Sequence, residues 1–142
     1  MPVMLQIWVG SSLLLMCIAF HVFVSTKLIS VLFIKLRTAN FVGAGQMFKV
    51  VSGILFIMLF SHTVQIYVWA IALRLFGALC GYEEPIYFAL VTYTTLGYGD
   101  VTLDIPYRIL GPMASVNGII AFGLTTAFLV GFFARFLGRA TN

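Results

Sequence analysis

Charge is what this sequence has least of. Only 8% of its 142 residues are charged and 62% are hydrophobic, where a soluble domain carries roughly a quarter charged residues. That deficit excludes the soluble classes and places the chain in a membrane. The net charge of +4 is no nucleic-acid footprint, because the basic residues are scattered at the ends of apolar runs. Histidine and cysteine are scarcer still, two of each. Cys17 lies in an apolar run and reads as packing, Cys80 lies in a polar connection, and neither fits a metal or redox spacing. No spaced cluster of carboxylates, histidines or cysteines is present to carry catalysis. No enzyme, cofactor or small-molecule substrate is therefore expected. Regularly spaced arginines are missing, which removes voltage sensing by that device, and there is no internal repeat. The first apolar run lacks a basic leader and overshoots a signal peptide's length. Leu14-Leu15-Met16-Cys17 also lacks the small residues of a lipoprotein cleavage site, so the run reads as a membrane helix.

Long apolar runs are what the sequence does have. Residues 4 to about 26 suffice to cross a hydrocarbon core of about 30 Å. Residues 28–36, punctuated by Lys27, Lys35 and Arg37, read either as a continuation of that helix or as an interfacial segment; the stretch is too short for two crossings. A connection over 37–46 follows, with Gly43 and Gly45 marking a turn. The second run covers 50–76 and is interrupted by His62 and Gln65. Polar groups at that depth face protein rather than lipid, so they and His21 are expected to make packing hydrogen bonds.

Residues 77–85 form the next connection. Pro85 suits the first turn of a helix, and Glu83 and Glu84 complement its positive end. This helix, 85–94, is about 15 Å long by its rise per residue. It is too short to cross, so it should enter the membrane and stop, sheltered by protein. After residues 100–106 climb back out, the last run spans 108–136. In it Gly123, Ala127 and Gly131 recur every fourth residue, a spacing that lets helices approach closely. The fold class expected is an all-α membrane protein with three transmembrane helices and one re-entrant helix.

Between the short helix and the last run lies Thr94-Thr95-Leu96-Gly97-Tyr98-Gly99-Asp100, a polar loop in an apolar sequence. Glycines at alternate positions permit φ > 0 at every second residue. That alternation lets consecutive backbone carbonyls turn toward one axis, as replacing a cation's water shell requires.

This loop resembles the potassium-channel family, whose filter reads Thr-Val-Gly-Tyr-Gly and is usually followed by Asp. Leu96 replaces the Val. The resemblance covers about 47–136, and 1–46 lies outside it as an N-terminal helix and connection. It implies a pore domain over 47–142, with outer helix 50–76, pore helix 85–94, filter 95–100 and inner helix 108–136. The family's own mechanism comes with the resemblance: rings of carbonyls dehydrate K⁺. Thr95, Leu96, Gly97 and Tyr98 would coordinate the ion, with Gly99 completing the loop. Thr92, Asp100 and Tyr87 would support it. Where many relatives carry Trp-Trp and an acidic residue on the pore helix, this chain has Tyr87, Phe88 and Val91. Thr92 could reach Tyr98, and Tyr87 could reach Asp100. Gly118 falls at the family's hinge glycine, and Ile119, Phe122, Thr126 and Val130 fall on the stripe that lines its cavity. One chain supplies one filter strand, so a homotetramer in the bilayer is implied, with K⁺ as the permeant ion.

Charge sets the orientation. Lys27, Lys35, Arg37, Lys49, Arg135 and Arg139 share one side under this topology, which makes that side cytoplasmic. The N-terminus then lies outside and the C-terminus inside, in a plasma membrane of the bacterial inner-membrane kind. Glu83, Glu84, Asp100 and Asp104 gather at the outer mouth, where an acidic vestibule would concentrate cations. About six residues follow the last run, so no cytoplasmic ligand-binding domain is expected. The competing readings are a weakly selective cation channel and a non-conducting accessory subunit that docks through the first helix.

Overall fold

A computed structural model describes residues 1–38 and 44–140 of the chain. It is all-helical, with four helices in chain order: α1 Val3–Thr38, α2 Ala44–Leu75, α3 Glu83–Tyr93 and α4 Leu110–Ala140. Three of them, α1, α2 and α4, are long and apolar enough to cross a membrane. At 36, 32 and 31 residues they run to about 45–55 Å by their rise per residue, well beyond a hydrocarbon core of about 30 Å. α3 has 11 residues and spans only about half that core.

α1 settles the ambiguity after Lys27. The helix runs on through it to Thr38, because a single lysine does not break a helix. Its ammonium lies 5.6 Å from the Phe23 ring, one turn back, while its carbon stem stays on the helix surface. The connection expected over 37–46 is shorter than the sequence suggests. Gly45 and Gln46 already belong to α2, since a glycine in a first turn needs no special conformation. Gly43 and its neighbours 39–43 lie outside the described residues, as do the side chains of Lys35, Arg37 and Arg139. α3 starts two residues early, so Glu83 and Glu84 sit inside its first turn, the same charge complement to the helix end. α4 begins at Leu110, two residues later than expected.

Two apolar clusters hold the helices. The larger wraps α3: Trp69, Ala70 and Leu73 of α2, Cys17 of α1, and Leu110, Ala114 and Ala121 of α4 close around Phe88, Ala89 and Tyr93. The smaller joins the far ends of the long helices through Leu28, Leu32, Ile54, Met58 and Phe132. α1 packs chiefly on α4, so the first and last helices of the chain are neighbours. Buried Gln6 ties this pair together at the end where α1 begins. Its Oε1 accepts from the Ile109 backbone N–H at 3.1 Å, and its Nε2 donates to the Ile105 carbonyl at 3.4 Å and the Met1 carbonyl at 3.1 Å. The side chain thereby caps the N-terminus of α4, which needs partners for its free N–H groups.

α4 meets α3 through small residues other than the Gly123, Ala127 and Gly131 stripe. A Cβ added to Gly123 or Gly131 would meet nothing within 4 Å in the chain. The face that lies on α3 carries Gly111, Ala114, Ser115 and Gly118, as their contacts with Phe88, Thr92 and Tyr93 show. Fourfold spacing finds a small-residue stripe; it does not say which small residues meet α3.

Candidate functional site

α3 stops at Tyr93, and Thr94 closes it. The Thr94 hydroxyl donates to the Leu90 carbonyl at 2.8 Å, the back-bond a threonine makes when it ends a helix. The Val91 carbonyl accepts from the Leu96 N–H at 2.9 Å. From here the backbone alternates: φ is +62° at Thr95, +57° at Gly97 and +79° at Gly99. The two glycines adopt this region freely. Thr95 does not, since a β-branched residue at φ > 0 is a genuine outlier. Sequence reading assigned the reversal to the glycines alone; nothing in threonine's chemistry signals that the alternation extends one step further back. The loop 95–100 is exposed in the single chain, with Leu96 58% and Tyr98 69% accessible.

At the loop's far end, Tyr87 on α3 donates its hydroxyl to Asp100 Oδ2 at 2.5 Å. Asp100 Oδ1 in turn accepts from the Val101 N–H at 3.0 Å. The tyrosine's hydrogen bond holds the Asp100 carboxyl below the usual carboxylate range, and the same bond pushes the Tyr87 hydroxyl up. Thr92 makes no hydrogen bond to Tyr98 within the chain; its carbonyl instead accepts from the Ser115 hydroxyl of α4 at 2.9 Å. Glu83, Glu84 and Asp104 are all exposed. Arg74 lies with its guanidinium 3.7 Å from the Tyr82 ring beside them.

Gly118 has a packing duty that its sequence position does not reveal. A Cβ built there would lie 1.9 Å from the Tyr93 carbonyl oxygen. Its hydrogen lets α4 rest on the end of α3. Ile119, Phe122, Thr126 and Val130 are all exposed in the single chain. Phe122 stacks on His62 with ring centroids 4.4 Å apart and meets Tyr93 edge-on at 5.7 Å.

Beneath the loop, polar side chains from all four helices are linked. Trp69 bonds Asn117 at 2.9 Å, Asn117 bonds Gln65 at 2.8 Å, and Gln65 reaches His21 at 3.3 Å. His21 meets Thr125 at 3.2 Å, Thr125 meets His62 at 3.0 Å, and His62 meets the Tyr93 hydroxyl at 3.0 Å. His21, His62 and Gln65 make the packing hydrogen bonds expected of them. Asn117, Thr125 and Tyr93 as their partners had no signal in the sequence, because residues up to 104 positions apart meet here.

No group of three or more metal-ligating side chains occurs among the described residues. No curated protein and no solved structure matches the chain. A family model described as "Ion channel" matches residues 54–135, which takes in α2 from its third turn onward, α3, the loop and α4 up to Arg135. With more than half its length covered by that match, this membrane-spanning chain belongs to the ion channel family.

Proposed function

We propose that the chain is one quarter of a potassium-selective channel, a homotetramer whose ion path is lined by 95–99 of each copy. The observation that carries this reading is the sign of φ at Thr95, Gly97 and Gly99, set within Thr-Leu-Gly-Tyr-Gly-Asp at the end of a helix too short to cross. Reversing φ at every second residue brings successive carbonyls to one side of the strand. Four such strands give stacked rings of carbonyls from Thr95, Leu96, Gly97 and Tyr98, with the Thr95 hydroxyls below, where K⁺ is bound and released. α3 directs the negative end of its dipole toward the cation at the entrance. The Tyr87–Asp100 bond braces the far end of the strand.

In the tetramer, Ile119, Phe122, Thr126 and Val130 face the central cavity, and Gly118 is the point about which α4 bends. Their exposure in the single chain agrees with an assembly that still has surfaces to cover. Glu83, Glu84 and Asp104 form an acidic rim that raises the local cation concentration. The rim lies outside the cell and the C-terminus lies in the cytoplasm.

The test is ion flux from liposomes holding purified protein of known oligomeric state. K⁺ efflux with little Na⁺ flux from a tetramer is the expected result. Comparable Na⁺ flux would establish a weakly selective channel. Tetramers or smaller species that pass neither ion would establish an accessory subunit.

A further inference from the structure

The polar chain beneath the loop has a direction. The Trp69 indole N–H can only donate, so Asn117 Oδ1 accepts from it. Asn117 Nδ2 is left to donate to Gln65 Oε1, and Gln65 Nε2 to donate to His21 Nδ1. The Ser61 hydroxyl lies 2.9 Å from the same nitrogen and, able to donate, fits an acceptor there. His21 Nδ1 is therefore an acceptor, and a neutral His21 ring carries its proton on Nε2. That proton goes to Thr125 Oγ1. The threonine's own proton then goes to His62 Nε2, and His62 holds its proton on Nδ1, donating to the Tyr93 hydroxyl. Each link has one donor and one acceptor. The two rings, with centroids 5.1 Å apart, are neutral and in opposite tautomers, as their partners require.

This chain of bonds starts on α2 and crosses α4. It passes through His21, the one α1 side chain within it, and ends on the last residue of α3. The other titratable side chains in the surrounding core are Cys17, one turn before His21, and the partly buried Tyr107; the buried polar residues described include no carboxylate, lysine or arginine. A second proton on His21 would face the Gln65 N–H, and one on His62 would face the Thr125 hydroxyl proton. Either sets two donors against each other, and because Trp69 can only donate the chain cannot reverse to relieve it.

We infer that His21 and His62 are positioning residues for the conducting loop: through Thr125 and Tyr93, α1 sets where α3 ends and therefore where the strand 95–99 begins. This rests on the conduction reading above. It makes α1, which lies entirely outside the matched family region, part of the selectivity apparatus rather than a brace around it.

Two measurements test it. The first does not depend on conduction: imidazole nitrogen NMR shifts of the full chain at neutral pH. His21 is expected as the Nε2–H tautomer and His62 as the Nδ1–H tautomer, and Trp69→Phe should leave His62 a mixture of the two. Like tautomers, or a charged ring, would overturn the directed chain. The second is a double-mutant cycle on the Na⁺/K⁺ flux ratio, using His21→Phe and Tyr93→Phe, the residues at which α1 and α3 enter this network. Each single variant should raise the ratio severalfold, and the double variant should be no worse than either alone. If His21→Phe does not assemble, Thr125→Val cuts the same link at nearly the native volume. Effects that multiply independently, or an unchanged ratio, would overturn the positioning role. A wild-type protein that passes no cation would overturn the conduction reading and the positioning role built on it, and the tautomers would still decide the directed chain.

Discussion

Replacing Gly118 with alanine distinguishes a spacer from a hinge. The added methyl would sit 1.9 Å from the Tyr93 carbonyl oxygen and 2.9 Å from its carbonyl carbon. An ordinary C···O contact is about 3.3 Å at its closest. The difference from 1.9 Å means that α4 and the end of α3 must part by about 1.4 Å on that scale. The obstructing atoms are backbone at a helix terminus, so no rotamer change relieves the clash. Overpacking of this kind costs about 1–3 kcal/mol. The shift would fall on the residue from which the loop starts, so K⁺ flux should drop with the stability. The assay is the unfolding midpoint in detergent together with liposome flux. Gly53→Ala on α2 is the control, because a Cβ there meets nothing within 4 Å. If Gly118→Ala unfolds at the wild-type midpoint and changes only the fraction of time open, the close approach is not what the glycine serves. The hinge role would then stand alone.

Other outcomes follow from the same geometry. Gly97→Ala should abolish K⁺ flux and leave assembly intact, because φ of +57° is strained for any side chain although open space surrounds it; normal flux would remove residue 97 from the ion path. Tyr87→Phe should raise the Asp100 pKa toward its ordinary value. A carboxyl held low is stabilising above its unfolded pKa and loses that contribution as pH falls through the lowered one. The bond should therefore survive into the lower carboxylate range in wild type, and acid inhibition of flux should start at higher pH in the variant. Identical pH profiles would show that the bond has no part in conduction. Gln6→Leu strips the cap from the Ile109 N–H and should cost about 1–2 kcal/mol, read as a lower unfolding midpoint; an unchanged midpoint would mean water replaces the side chain.

What the sequence made legible was what local chemistry dictates. Three apolar runs, a proline-started helix too short to cross and a glycine-alternating loop were readable because each signal lies within a few consecutive residues. The end of α1 was harder, since Lys27 marks a membrane boundary as well as it marks a tolerated charge on a continuing helix. The contact between α3 and α4 was not legible, because nothing in one dimension marks Gly111 and Gly118 as the glycines that lie on α3. His21, His62 and Gln65 were each recognisable as buried polar groups in need of partners. Their connection was not recognisable, since Trp69, Asn117, Thr125 and Tyr93 carry no mark of mutual contact until four helices are assembled.

The pairing of α1 with α4 has a consequence for biosynthesis. His21 and its α4 partner Thr125 are 104 positions apart, and Gln6 and Ile109 are 103 apart. At about 5–20 residues per second of translation, α1 waits roughly 5–20 s in the bilayer before the helix that completes it has been made. Throughout that interval Gln6 lacks its partners at Ile105 and Ile109, and His21, which meets Ser61 and Gln65 once α2 is made, still lacks Thr125. The nascent chain is thus most exposed to quality-control proteolysis before α4 emerges.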